Sequence, residues 1–397
     1  MKKAFLALAL GGFGIGMTEF VIMGILPQVA EGLHITIPQA GHFISAYALG
    51  VVIGAPLLTA ICSKWRGHYV LMGLMVWFTI FNTASAFAGN YYYMMGLRFL
   101  AGLPHGAFFG IGAVVASELA RPGKEAQAIA TMFTGLTLAN VVGVPGGTYL
   151  GHIYGWNIAF LIVGIIGFIT LTSIYYWMPA LPPSSTEGLR KDLKVFKRPQ
   201  LWLVFVLTTI GTGGFFAWYS YIAPLITEVA GHPEYVVPYA MVLAGVGMTI
   251  GNLIGAKMAE KLNPLKAVMI ALTLMAGGLI ANTFFASGKI SILVMTFVIG
   301  VIAFCISTPV QMMMINAAEE SKMLGSSLNQ SAFNIGNAIG AYLAGLPIAF
   351  GYGLTSADWV GAGLASCGII MTIIILFYQR KTRNQPETEL QPEPVNA

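Results

Sequence analysis

Adding 197 to a residue number in the first half of this chain repeatedly lands on the same residue type in the second. Gly14 and Gly16 map onto Gly211 and Gly213, Pro27 onto Pro224, and Gly50 and Gly54 onto Gly247 and Gly251. Lys64 maps onto Lys261, and Asn140 and Gly143 onto Asn337 and Gly340. One offset that holds from residue 14 to residue 143 requires two halves of equivalent structure.

Composition says in which solvent those halves fold. Hydrophobic residues make up 57% of the chain and charged residues 9%. Soluble domains carry roughly 25% charge, so a water-exposed surface could not be covered. The bilayer is the alternative. Cys62, Cys305 and Cys367 lie in or beside apolar runs without paired spacing or neighbouring His ligands. They read as small buried hydrophobes rather than a disulfide or metal framework.

A spanning helix needs roughly 20 apolar residues. The chain offers about twelve such stretches, near 4–27, 39–62, 69–88, 92–117, 126–150, 158–178, 201–226, 237–259, 267–286, 290–314, 324–349 and 358–378. The first imitates a signal peptide after Met1-Lys2-Lys3, but it is too long for one and shows no clear cleavage site. This predicts an all-α membrane protein of twelve transmembrane helices in two pseudo-symmetric six-helix bundles. The predicted divisions are an N-terminal bundle at 1–180, a cytoplasmic linker at 181–200, a C-terminal bundle at 201–380, and a disordered tail at 381–397.

With the N-terminus inside, eighteen of the twenty Lys and Arg residues fall on the cytoplasmic side. The exceptions are Lys289, in an outer loop, and Arg98, inside a span. The positive-inside rule therefore places both termini in the cytoplasm. It also accounts for the net charge of +5 without a nucleic-acid partner.

An ionisable side chain in the hydrocarbon costs about 2.5–3.5 kcal/mol even on the lenient scale, and so calls for a reason. Glu19 in the first span, and Arg98 and His105 in the fourth, are the three that stand out. Glu19 lies about 12 Å from the outer end of its helix and Arg98 about 10 Å deep in its own. Opposite charges at matching depth predict a pair. That pair is either a proton site, coupling protonation of Glu19 to transport, or a static salt bridge. His105 shares a face with Arg98 and Gly102, and a hydrogen-bonded core role competes with a part in proton transfer. At the repeat positions Glu19 becomes Phe216 and Arg98 becomes Met295. Proton chemistry is therefore expected in the first half, with substrate contacts drawn from both.

Three further patterns bear on function. Gly143, Gly147 and Gly151 form a smooth face for helix packing in the fifth span, with a bend expected at Pro145. Gln330, Asn334 and Asn337 put three amides on one face of the eleventh span, facing a cavity or a neighbouring helix. In the seventh span Phe215, Phe216, Trp218, Tyr219 and Tyr221 read first as an interfacial belt, with substrate stacking on Trp218 or Tyr221 as the alternative. No HExxH, no paired intramembrane acids and no Ser/His/Asp arrangement speaks for an enzyme. A transport-inactive sensor predicts a sizeable signalling domain, an expectation the short tail argues against.

These residues carry a resemblance. Twelve spans, the 6+6 repeat, the basic middle loop and Arg98-Phe-Leu-Ala-Gly102 resemble the major facilitator superfamily. Gly143-Val-Pro145-Gly-Gly147 is similar to its fifth-span antiporter motif, and Gly255-Ala-Lys-Met-Ala-Glu260-Lys261 to its cytoplasmic loop motif. The first-half copy of that loop departs from the pattern, with Ser63 in the acidic position and Arg66-Gly67 inverted. Gly-Met-Thr-Glu19-Phe-Val-Ile-Met-Gly, Pro104-His105-Gly-Ala-Phe-Phe-Gly and Leu-Ala-Asn140-Val-Val-Gly-Val-Pro resemble the bacterial arabinose-efflux-permease-like branch of drug/proton antiporters. The resemblance implies a monomer in the bacterial inner membrane. It would export a small organic molecule (a sugar, a nucleoside or purine, or a drug) by alternating access, with the proton gradient as energy source and no cofactor or metal. Proton-coupled uptake and a transport-inactive sensor are the competing readings. The implied roles are proton coupling at Glu19, Arg98 and His105, and a substrate cavity at Asn140, Trp218, Tyr221, Gln330, Asn334 and Asn337. Gating and helix packing fall to Gly143, Pro145, Gly147, Gly255, Glu260 and Lys261.

Overall fold

The computed structural model describes residues 2–62, 65–122, 125–179, 196–318 and 322–383. Most of the expected linker, including Arg190, Lys191 and Lys194, lies outside the described residues, as do Ser63 and the tail from 384.

The described residues are almost entirely helical. In the first half, α1 (Lys2–Gly24) and α2 (Leu26–Gly32) make the first crossing. They are followed by α3 (Ile37–Cys62), α4 (Gly67–Ser85) and α5 (Tyr91–Leu119). The fifth crossing joins α6 (Glu125–Leu138), a π-helical turn (Ala139–Gly143) and α7 (Val144–Tyr154), and α8 (Trp156–Trp177) is the sixth. In the second half, α9 (Pro199–Tyr219), α10 (Val237–Lys261) and α11 (Pro264–Phe285) come first. Then α12 (Lys289–Cys305) and α13 (Ser307–Ala318) share a crossing, before α14 (Lys322–Ala349) and α15 (Ser356–Arg383).

Among the described residues, eleven of the twelve crossings are long and apolar enough to span a bilayer. The twelfth, α4, occupies the expected third position but falls short. It is 19 residues long, and His68 and Asn82 dilute its hydropathy. Asn82 is completely buried, so the polar cost is met inside the bundle rather than against lipid.

The repeat is visible in the breaks. Proline donates no backbone N–H and disfavours helix in the residue before it. Pro27 and its repeat partner Pro224 accordingly sit just past the ends of α1 and α9, where both crossings interrupt and restart. Asparagine side chains cap two other helices. Asn90 Oδ1 accepts from the Tyr93 N–H and Asn263 Oδ1 from the Leu265 N–H, each at 2.9 Å.

The repeated glycines let backbones touch. Gly50 and Gly54 on α3 face the Phe99 and Leu103 carbonyls of α5. Gly247 and Gly251 on α10 face the Phe297 and Val301 carbonyls of α12 in the same way. The halves meet along two seams, α3 against α14 and α10 against α7 with its preceding π turn. Large exposed apolar side chains such as Ile53, Leu57, Ile165, Leu253 and Phe377 cover the outer faces, as helices in lipid require. Cys305 is buried and Cys62 half-buried, as expected, but Cys367 is exposed on the outer face of α15.

Candidate functional site

A cavity of about 620 Å³ lies between the halves. The first half contributes Glu19, Phe20, Phe109, Phe133 and Asn140. The second contributes Asn252, Phe304, Thr308, Gln311, Gln330 and Phe333 among others. Asn252 accepts a hydrogen bond from Thr308 at 2.8 Å, and Gln311 one from Asn329 at 2.6 Å, so the polar wall is pre-organised. Glu19 is the one carboxylate among the lining residues.

The cavity occupies one end of the molecule. On α5 its lining runs from Gly106 to Ala113, and on α14 from Asn329 to Phe333. Those stretches lie toward the end where α1 begins and α5 finishes, which is the Lys- and Arg-rich end. The opposite end is sealed. Ser45 Oγ donates to the Ala338 carbonyl of the opposite half at 2.9 Å, and Tyr221 Oη, bonded to the Ala341 carbonyl of its own half at 3.0 Å, lies against Gly41 of the other. Gln28 Nε2 donates to Glu234 at 2.8 Å across the other seam. Phe20 stacks on Phe216, with ring centroids 6.3 Å apart, at the closed end of the cavity.

Glu19 and Arg98 lie at matching depth but do not pair. Neither makes an ion pair among the described residues. Arg98 instead donates from Nη1 to Thr18 Oγ1 at 3.0 Å and from Nη2 to the Thr18 carbonyl at 2.9 Å. Its guanidinium lies over the rings of Tyr47 and Phe160, at 4.4 and 5.3 Å. The Thr18 hydroxyl in turn donates a hydrogen bond to Asn82 Oδ1. Successive helical residues point about 100° apart. With Thr18 turned toward α4 and α5, Glu19 is turned into the cavity, and its Oε1 has no hydrogen-bond partner. Depth was readable from sequence; direction around the helix was not. Tyr47 extends the network, its hydroxyl 3.1 Å from His105 Nδ1. His105 is fully buried, rests against Phe109 and leaves Nε2 unpartnered.

Of the residues expected around a cavity, Asn140 and Gln330 line it, and Trp218, Tyr221, Asn334 and Asn337 do not. The last four lie beyond the closed end. Asn334 Nδ2 donates to the Gln330 carbonyl of its own helix at 3.0 Å, and both polar atoms of Asn337 are buried without partners. The aromatics of the seventh crossing are not a membrane belt. Phe215, Phe216, Trp218, Tyr219 and Tyr221 are all buried, and Phe216 packs edge-on against Phe333. Exposed rings lie elsewhere, at Tyr92, Tyr176 and Phe350 among others.

Gly143 and Gly147 fit closely over Phe13, Met17 and Val21 of α1. The irregularity near Pro145 takes the form of the π turn that precedes it. The proline ring crowds the carbonyl four residues back and offers it no N–H, and the helix widens by one residue there. That turn carries Asn140 to the cavity wall. Gly255 packs on the Cys305 backbone, whereas Glu260 and Lys261 are exposed at the end of α10 and make no ion pair among the described residues.

Thr18, Asn82 and Tyr47 do not stand out in the sequence, because neutral residues in an apolar run carry no cost signal. Asp358, a buried acid in the second half that accepts from Asn282 Nδ2 at 3.1 Å, is not among the expected residues either. The second half is therefore not free of buried ionisable groups, although Phe216 and Met295 stand where expected. An acid in the first turn of a helix is ordinary dipole compensation.

The sequence profile of the Major Facilitator Superfamily matches residues 8–341. The putative transporter AraJ of Escherichia coli (strain K12) is 34% identical over 395 residues, covering 100% of both chains. The inner membrane transport protein YdhP of Escherichia coli (strain K12) is 39% identical over 385 residues, covering 96% of this chain and 97% of that one. A chloramphenicol resistance protein of Streptomyces lividans is 28% identical over 369 residues, covering 92% and 94%. Among solved structures, a bacterial homolog of the human lysosomal transporter Spinster, in an inward-facing and unoccupied conformation, superposes with TM-score 0.70 at 14% identity over 96% of each chain. The nucleoside transporter NupG gives 0.75 at 12% identity, over 94% of this chain and 99% of that one. At those identities the two structures establish a shared fold alone.

Proposed function

The chain belongs to the Major Facilitator Superfamily of membrane transporters, and from that premise we propose that it is a proton-coupled exporter of a small organic molecule. The observation that carries this reading is the cavity between the halves, closed at one end, with a single carboxylate in its wall. A transporter must expose one site to each side in turn. The cavity opens at the basic end, which the positive-inside rule assigns to the cytoplasm of a bacterial inner membrane. The structure is then an inward-facing state, and the bundles 1–180 and 201–380 rock about the cavity to reach the other.

Glu19 is the proton carrier in this reading. It faces the cavity, has an unpartnered oxygen, and is left un-neutralised because Thr18 holds Arg98. Arg98, Tyr47 and His105 form the polar frame behind it. Protonation removes a charge from the cavity wall, and substrate and proton compete for that carboxylate. Export is supported by the antiporter-like fifth crossing and by the chloramphenicol resistance protein among the relatives, since a transporter confers resistance by expulsion. A cavity of this size suits a drug-sized or smaller ligand. Its phenylalanines and paired amides suit a planar or sugar-bearing molecule, such as a sugar, a nucleoside or purine, or a drug. The proton gradient supplies the energy.

Purified protein in proteoliposomes, with a pH-sensitive dye inside and an imposed proton gradient, tests this against a panel of pentoses, purine nucleosides and cationic dyes. A compound whose flux runs opposite to an accelerated proton flux is the expected result. Co-directional fluxes would replace export by uptake, and no coupled flux with any compound would overturn the proton role.

A further inference from the structure

The sealed outer end contains a histidine whose hydrogen bonding is half complete. His152, in the last turn of α7, has its side chain 6% exposed. Its Nε2 lies 3.0 Å from the Gly24 carbonyl, which the break between α1 and α2 leaves facing it. A carbonyl only accepts, so Nε2 carries the ring proton. In a neutral imidazole Nδ1 is then a bare acceptor. It has no hydrogen-bond partner, and what faces it at 3.8 Å is another acceptor, Glu234 Oε2 of the opposite half. The same carboxylate oxygen receives the Gln28 side chain at 2.8 Å.

We propose that His152 and Glu234 form an outer proton site, separate from Glu19, whose protonation latches the two halves shut on the outer side. Nδ1 takes a proton from the outer solution. The imidazolium then donates through both nitrogens, from Nε2 to the Gly24 carbonyl of its own half and from Nδ1 to Glu234 of the other. Glu234 is 58% exposed and connects the site to solvent. The site rests on the alternating-access reading, and gives it a direction: acid on the outside favours the inward-facing state.

The surroundings hold few further charges besides Glu228, in the turn Leu225–Val229, and His232, two residues before Glu234, whose Nε2 is engaged with the Lys289 carbonyl at 2.9 Å. Beside His152, α7 carries only Tyr149 and Tyr154 as titratable groups, and α8 carries only Tyr175 and Tyr176 at its far end. From α2 come Gln28 and, one turn on, Glu31. Glu234 and Tyr235 come from the turn Glu234–Val236. On α10 Tyr239 is near, and Lys257, Glu260 and Lys261 lie at the other end. Besides its two N-terminal lysines α1 carries Glu19, five residues below Gly24. On the other seam His42 meets Tyr91 and Tyr342 and no carboxylate, which makes it the control.

The test uses full-length protein in lipid, with Cys62, Cys305 and Cys367 replaced by serine and spin labels at Phe87→Cys and Ser287→Cys. Both positions lie in exposed outer loops of opposite halves. Distance distributions are recorded at pH about 5.5 and 8, spanning the range in which histidine changes charge. The short-distance population is expected to rise on acidification by up to about fivefold, as for a partly exposed ion pair. Glu234→Gln and His152→Gln should each remove the response, whereas Glu19→Gln and His42→Gln should keep it. Glu234 is exposed, so its variant reads out even if His152→Gln fails to fold. A pH-independent distance in the parent, or a response that survives Glu234→Gln, overturns the latch. A response lost in Glu19→Gln alone assigns it to the cavity acid, and the transport reading then stands without the latch.

Discussion

Arg98 is completely buried and makes no ion pair among the described residues, so the neutral residue that holds it matters more than its charge predicts. Thr18 supplies two acceptors to the guanidinium and one donor to Asn82. Thr18→Val keeps the shape and removes the hydroxyl, stranding a buried donor and a buried acceptor. It should cost about 1–3 kcal/mol, visible as a lower melting temperature in detergent, with Thr18→Ser restoring most of it. An unchanged Tm for Thr18→Val would mean that Arg98 finds another partner. Arg98→Lys should not substitute, because one ammonium cannot reach both Thr18 atoms and cover Tyr47 as a planar fork does. Glu19→Gln differs in kind. It removes no hydrogen bond made by the carboxylate, so folding and melting should be preserved while exchange loses its dependence on the pH gradient. Transport that keeps its pH dependence in Glu19→Gln would take the proton role away from this residue. Glu19, Arg98 and His105 were legible in the sequence because ionisable groups in an apolar run are costly. Thr18 and Tyr47 were not, since what they do depends on which way a helix is turned.

At the scale of elements, the repeat and the hydropathy made nearly all of the fold readable, down to equivalent breaks after Pro27 and Pro224. What they could not place was the packing across the halves, because a seam has no periodicity of its own. The aromatic run in the seventh crossing shows this, reading as a belt and lying buried. The α10 seam rests on Gly245, whose Cβ would fall on the Asn140 carbonyl of the π turn. That contact is made against backbone, which has nowhere to move. Gly245→Val should therefore leave each half intact but prevent the seam from closing, at the about 1–3 kcal/mol typical of overpacking. The outer-loop distance between labels at residues 87 and 287 should lengthen, and coupled flux should fall. A distance distribution like the parent's would show that the seam tolerates the side chain and that Gly245 does not control closure.

Over the whole molecule, the proposed alternation requires two states to share one set of polar groups, and those buried without partners in this state are the ones the other would use. Asn140, which lines the cavity although its own Oδ1 is buried without a partner, and Asn337, buried beyond the closed end, are repeat partners. Asn337 has both side-chain polar atoms buried without partners, and Asn334 has its carbonyl oxygen so. Each such atom costs about 1–3 kcal/mol when left unsatisfied, a burden that a protein with one permanent conformation would shed by carrying leucine there. Rocking the halves the other way would open the α3–α14 seam above these amides and wet them, while closing over Asn140. Asn337→Cys, in a chain without its native cysteines, should then be nearly inert to a membrane-impermeant thiol reagent added outside. Combined with Gly245→Val it should react at least about tenfold faster, the change that 1.4 kcal/mol of bias toward the outward state produces. Equal rates in the two backgrounds, with the Gly245→Val distance shift present, would mean that the outward cavity forms without reaching Asn337. The unsatisfied amides would then belong to packing in the eleventh crossing and not to the substrate path.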